Sequence, residues 1–227
     1  MFDGHLRAPV ERAVKPIGDR LRRTRLSPDH LTIAGLVVAI GAAVAIGAGF
    51  LALGLLLVIM AALPDLLDGA LAKASNTSSQ RGAFFDSVID RVADSLLFGG
   101  VAWYFASEES AHTALLPMAV LAMSSVISYQ RAKAESLGLN AKGGLMERAE
   151  RIILLCLGLL FPVLLLPIMW LMLVLVSVTA VQRFVKVWRQ AAVAPVTAAR
   201  IEMRRSRRQS RRARRVARRR EFLRRQT

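Results

Sequence analysis

Asp65 and Asp68 stand three residues apart, and Asp86 and Asp90 four apart, in a chain that is otherwise 54% hydrophobic. On helices, either spacing puts both carboxylates of a pair on one face. An ionised side chain in or beside a membrane helix costs about 2.5 to 3.5 kcal/mol on insertion scales, so four together need a compensating charge. Hard divalent cations such as Mg2+ take carboxylate oxygens, and the four acids therefore imply a metal site. Gly69, Ala72 and Gly82 lie within a turn of these acids and add no bulk, so a base or phosphate can come close to the backbone. Small residues also serve helix packing in membranes.

Helices must bring these residues together. A span needs about 20 apolar residues. The uncharged stretch from Leu31 to Pro64 gives a hairpin turning near Gly47, Gly49 and Gly54, its second helix running on to about Lys73. A third span is expected over Gly82 to Phe105 and a fourth over Leu115 to Ala134. Two more fill the uncharged stretch from Ile152 to Gln182 and turn near Pro162 to Pro167. Ser27, Pro28 and Asp29 have the residue types of a helix cap and first turn. The short link between Lys73 and Gly82 makes the second and third spans antiparallel neighbours, so that the two aspartate pairs can face each other. The expected fold is all-α: an integral membrane six-helix bundle over residues 27–190. An amphipathic juxtamembrane arm (1–26) precedes it and an arginine-rich cytoplasmic tail (191–227) follows.

The charges order this bundle across the bilayer. Basic residues concentrate on the cytoplasmic side. The amino-terminal arm, the link with Lys73 and Arg81, the link with Arg131, Lys133, Lys142, Arg148 and Arg151, and the tail then share one side. Glu108, Glu109 and His112 mark the other. A multi-pass protein of the cell membrane with both termini cytoplasmic satisfies every link. Of the net charge of +16, twelve units belong to the segment from Arg200 onward, with fourteen arginines and two glutamates. Anionic lipid at the inner leaflet suits that tail; nucleic acid is not expected as a partner, because nothing else in the chain interleaves aromatic with basic residues. The single cysteine, Cys156, excludes an intramolecular disulfide.

Asp65-Leu66-Leu67-Asp68-Gly69-Ala70-Leu71-Ala72-Lys73, eight further residues, then Gly82-Ala83-Phe84-Phe85-Asp86-Ser87-Val88-Ile89-Asp90 resembles the signature of the CDP-alcohol phosphotransferase family. The resemblance extends over residues 5 to 190, since six spans and an amino-terminal surface helix are also the family's plan. It implies that Asp65, Asp68, Asp86 and Asp90 hold Mg2+ or Mn2+, two ions per active site, and that Asp90 is also the catalytic general base. It implies further that Gly69, Ala72, Lys73 and Gly82 line the site of a CDP-linked lipid, CDP-diacylglycerol, and that the protein is a homodimer. Lys73 departs from the family's usual arginine: it keeps the charge and loses the bidentate fork. Arg91 and Asp94, on the same helix as Asp90, are expected to form a structural ion pair.

Basic residues at the cytoplasmic helix ends, Arg131, Lys133, Arg151 and Arg183, could hold a phosphate, although topology alone also places basic residues there. Ile127-Ser128-Tyr129-Gln130-Arg131-Ala132-Lys133-Ala134-Glu135 and Gly143-Gly144-Leu145-Met146-Glu147-Arg148-Ala149-Glu150-Arg151 are similar to stretches of the family's actinobacterial branch, the phosphatidylinositol phosphate synthases. That resemblance implies acceptor-phosphate binding by the four basic residues and inositol 3-phosphate as the small phosphorylated alcohol. Glycerol 3-phosphate is the competing acceptor. A divalent-cation transporter is the alternative of another class, as intramembrane acids also mark ion pathways. The clustering of the acids at one face favours an interfacial enzyme.

Overall fold

In a computed structural model of the chain, the described residues are 28–62, 80–141 and 143–192, and they are helical with no strand among them. Helix α1 spans Pro28–Gly47 and α2 is helical over Leu51–Ala62. Then come α3, Gln80–Glu108, α4, Leu115–Ser136, and α5, Arg148–Leu160. A 3-10 turn, Pro162–Leu164, leads into α6, Leu165–Ala191. The amino-terminal arm, the tail beyond residue 192, and Asp65, Asp68, Gly69, Ala72 and Lys73 lie outside the described residues.

Helix α1 begins at Pro28 with Asp29 in its first turn, where a proline lacks no needed donor and an acid meets the positive helix end. It stops at Gly47, and the chain reverses through Gly49, whose φ of +84° is open to glycine without strain. Gly54 falls inside α2 rather than in the turn. Pro162 opens the 3-10 turn between α5 and α6, while Pro167 sits in the first turn of α6, where its missing N–H is harmless.

Helix α1 packs mainly on α3, and α4 mainly on α6. At the first contact a Cβ on Gly100 would lie 2.5 Å from the Ala43 carbonyl oxygen and 2.8 Å from its Cα. The two backbones touch because both residues are small, the membrane mode of helix association. Helix α6 buries Leu165, Met169, Met172, Val176, Thr179, Ala180 and Arg183, a stripe with three- and four-residue steps. That stripe meets Val120 and Ile127 of α4 and Leu155 and Leu159 of α5 in one core with Phe98 and Phe105 of α3.

Two helices, Asp29–Gly47 and Pro162–Ala191, are long and apolar enough to cross a bilayer. Helix α3 has the length but carries Asp86, Asp90, Arg91 and Asp94 in its first half. Large apolar side chains such as Val37, Trp170, Val174 and Val181 are more than half exposed, and lipid contact suits such a surface.

Candidate active site

The first half of α3, the second half of α4, the start of α5 and the end of α6 line a cavity of about 540 Å³. Asp90 and Arg91 reach it from α3, Ser128 and Arg131 from α4, Glu147, Arg148 and Arg151 from the start of α5, and Arg183 from α6. Five arginines against Asp90, Glu135 and Glu147 leave the lining with a net charge of about +2, which suits a dianion.

Asp94 organises the arginines from behind. It is 2% exposed and faces α5 one turn beyond Asp90. Arg151 Nη2 donates to its Oδ2 at 2.8 Å, Arg148 Nε to its Oδ1 at 3.4 Å, and Arg91 Nη2 lies 3.6 Å from Oδ2. Arg91 also donates to the Ser128 hydroxyl of α4. The expected Arg91 and Asp94 ion pair is thus present, enlarged by two arginines from α5. Arg148 goes on to Asp90, with Nη1 2.7 Å from Oδ1. Burial, then the neighbouring Arg151, push the Arg148 guanidinium down to about 10, so it stays charged at neutral pH.

Arg183 ends the buried stripe of α6 and ties down the segment between α4 and α5. Its Nη1 donates to the Ile127 carbonyl at 3.0 Å, and its Nη2 to the Gly143 carbonyl at 3.2 Å and to Glu147 Oε1 at 3.2 Å. Thr179, one turn earlier, accepts the Met146 N–H at 3.0 Å. Glu147 and Glu150 close a capping box at the start of α5, which satisfies two helix-end donors and fixes the direction from which Arg148 and Arg151 enter. The Nε atoms of Arg151 and Arg183 are buried and have no protein partner.

The structure therefore brings Asp90, Arg131, Arg151 and Arg183 to one cavity. Lys133 is exposed on the last turn of α4 and is not among the described residues lining the cavity. Asp86 lies one turn before Asp90 on α3, and both are partly buried; Gly82 opens the same face. Sequence reasoning assigned Arg148 only to topology, although its place beside the α5 cap was the signal that it would enter with Arg151. No group of three or more metal-ligating side chains occurs among the described residues; Asp65 and Asp68 are not among those residues.

The family model for CDP-alcohol phosphatidyltransferase matches residues 25–199. The chain belongs to the CDP-alcohol phosphatidyltransferase family. It is 36% identical over 213 residues to a phosphatidylinositol phosphate synthase of Streptomyces avermitilis, covering 88% of this chain and 87% of that one. The phosphatidylinositol phosphate synthase of Mycobacterium tuberculosis is 35% identical over 192 residues, 80% of this chain and 88% of the other. A crystal structure of the M. tuberculosis enzyme with CDP-DAG bound superposes with a TM-score of 0.72 at 35% identity, covering 78% of this chain and 94% of that chain. A second, in complex with manganese and citrate, gives 0.72 at 34% identity and covers 77% and 88%. The CDP-alcohol phosphatidyltransferase is therefore an enzyme of lipid synthesis, and the cavity beside Asp90 is its candidate active site.

Proposed function

We propose that this phosphatidyltransferase moves a phosphatidyl group from CDP-diacylglycerol to a hydroxyl of an inositol phosphate, inositol 3-phosphate above all, and releases CMP. The observation that carries the reading is the arginine-lined cavity opening directly at Asp90. An acceptor phosphate seated on Arg131, Arg151 and Arg183 would hold its alcohol within the same cavity as the Asp90 carboxylate. Guanidinium groups such as those of Arg131, Arg151 and Arg183, which line the cavity, are the donors that phosphate oxygens take. The related synthases at 35 to 36% identity support the same acceptor.

Divalent metal fits the acidic side of the site. Asp86 and Asp90 present hard oxygen donors one helical turn apart, and Asp90 already accommodates a positive charge at 2.7 Å. Together with Asp65 and Asp68 they would hold Mg2+ or Mn2+, two ions per site; the relative bound to manganese supports this. Bound there, the metal would neutralise charge on the pyrophosphate and the leaving nucleotide. Asp90 takes the proton from the acceptor hydroxyl. The hydroxyl oxygen forms the new bond to the lipid-bearing phosphorus, the phosphoanhydride bond breaks, and CMP leaves with its electron pair. Gly69, Ala72, Lys73 and Gly82 would receive the nucleotide end of the lipid.

The same reading takes residues 27–190 as a catalytic domain of six spans with both termini cytoplasmic. The amphipathic arm (1–26) and the arginine-rich tail (191–227) would lie against anionic lipid, and the enzyme would work as a homodimer. Cation transport is disfavoured, because five arginines at the cavity would repel a passing cation.

CMP release from CDP-diacylglycerol with Mg2+ tests the function, with inositol 3-phosphate, glycerol 3-phosphate, serine and free inositol offered in turn. Turnover is expected with inositol 3-phosphate and is expected to fall at least about a hundredfold in Asp90→Asn, the scale of a lost general base. Turnover with glycerol 3-phosphate alone would discard the acceptor and keep the chemistry.

A further inference from the structure

Arg148 is bound where a cation is required. Its Nη1 lies 2.7 Å from Asp90 Oδ1 and its Nε 3.4 Å from Asp94 Oδ1, while its side chain also borders the 540 Å³ cavity. We propose that Arg148 is a built-in counter-ion that occupies Asp90 in the metal-free enzyme and is displaced by the metal into the cavity, where it joins the arginines that hold the acceptor's phosphate. Metal loading and phosphate binding are thereby coupled.

Three observations carry this inference, which rests on Asp90 being a metal ligand. First, a guanidinium and a divalent ion compete for one carboxylate oxygen, since both seek its negative charge. Second, Asp94 does not depend on Arg148: Arg151 remains at 2.8 Å and Arg91 at 3.6 Å. Release of Arg148 therefore leaves the buried Asp94 carboxylate partnered, where an unpaired buried charge would be costly. Third, the cavity gives the released side chain space on the side lined by Arg131, Arg151 and Arg183. A fourth guanidinium arriving there strengthens the phosphate site only when metal is bound. Linkage makes the effect reciprocal: phosphate, by holding the displaced Arg148, tightens metal binding.

The experiment is a Mn2+ titration followed by electron paramagnetic resonance, with and without inorganic phosphate. It uses the purified full chain in detergent, without CDP-lipid, so that no turnover occurs. Arg148→Gln is expected to bind Mn2+ about tenfold more tightly than wild type without phosphate, within the usual range of coupling between sites. Phosphate is expected to tighten Mn2+ binding in wild type, weakly in Arg148→Lys, and not in Arg148→Gln. Equal Mn2+ affinity in wild type and Arg148→Gln, or an undiminished phosphate effect in that variant, would overturn the proposal. Asp90→Asn separates the two readings. If it leaves Mn2+ affinity unchanged, Asp90 is no ligand and the inference falls with that assignment; if it weakens Mn2+ while Arg148→Gln behaves as wild type, only the counter-ion role falls. Should Arg148→Gln fail to fold, wild type and Arg148→Lys decide, because Mn2+ affinity indifferent to phosphate in both is incompatible with the coupling.

Discussion

Asp94 is the residue on which the arginine cluster depends. It is 2% exposed and compensates Arg151, itself 2% exposed, together with Arg148 and Arg91. Asp94→Asn would keep the shape and remove the charge, leaving a buried guanidinium without its counter-ion. Breaking one side of a buried pair costs about 3 to 5 kcal/mol, so thermal unfolding in detergent should show a lower midpoint for Asp94→Asn than for Asp90→Asn. Asp90 is less buried, and losing its charge leaves Arg148 with Asp94. The sequence could reveal the pairing of Arg91 with Asp94, because three-residue spacing on a helix is a local fact. It could not reveal Arg148 and Arg151 joining that pair: the partners are 54 and 57 residues away, and only the tertiary fold, which lets these arginines of α5 reach Asp94 of α3, brings them together. The departure of Lys133 from the cavity is, by contrast, a local matter. Arg131 and Lys133 are two residues apart, which on a helix means different faces; both are exposed, and only Arg131 is among the residues lining the cavity.

At the scale of elements, the chain's turns were legible because glycine and proline act locally. The reversal after Gly47 and the 3-10 turn at Pro162–Leu164 fall where uncharged runs too long for one helix had to bend. Gly54 was misleading, as a glycine inside a membrane helix signals close packing as readily as a turn. In α2 a Cβ at Gly54 would lie 2.5 Å from Ile46 Cγ1 of α1. Gly100 is the more exacting case, because its near neighbours are the Ala43 carbonyl oxygen at 2.5 Å and Cα at 2.8 Å, backbone atoms that cannot rotate aside. Gly100→Leu should push α1 from α3 and destabilise the protein by about 1 to 3 kcal/mol, the usual cost of overpacking. A fall in the detergent melting temperature would show it. Gly99→Leu is the control: nothing lies within 4 Å of its added Cβ, so its melting temperature should stay near that of wild type.

For the molecule as a whole, charge rather than apolar length carries the topology. Length and hydropathy single out α1 and the run through α6. The other helices are shorter within the described residues, or carry the ionised and polar side chains that form the site. Helix α3 shows why: a helix that holds Asp86, Asp90, Arg91 and Asp94 lacks the uniform apolarity by which spans are recognised, although its second half, with Phe98, Val101 and Phe105, remains apolar. The distribution of arginine and lysine escapes this difficulty, since it concerns the links between helices. The positive-inside rule predicts the helix ends bearing Arg81 and Arg148 on the cytoplasmic side, and the segment bearing Glu108, Glu109 and His112 on the opposite side. Reporter fusions test the arrangement directly. Alkaline phosphatase, active only after export, should be active when fused after Glu109 and inactive when fused after Asn140, while a fluorescent protein that matures only in the cytoplasm should report the reverse. Phosphatase activity at Asn140 would turn the arginine cavity to the outer side, away from cytoplasmic inositol phosphate, and the proposed acceptor could not reach Asp90.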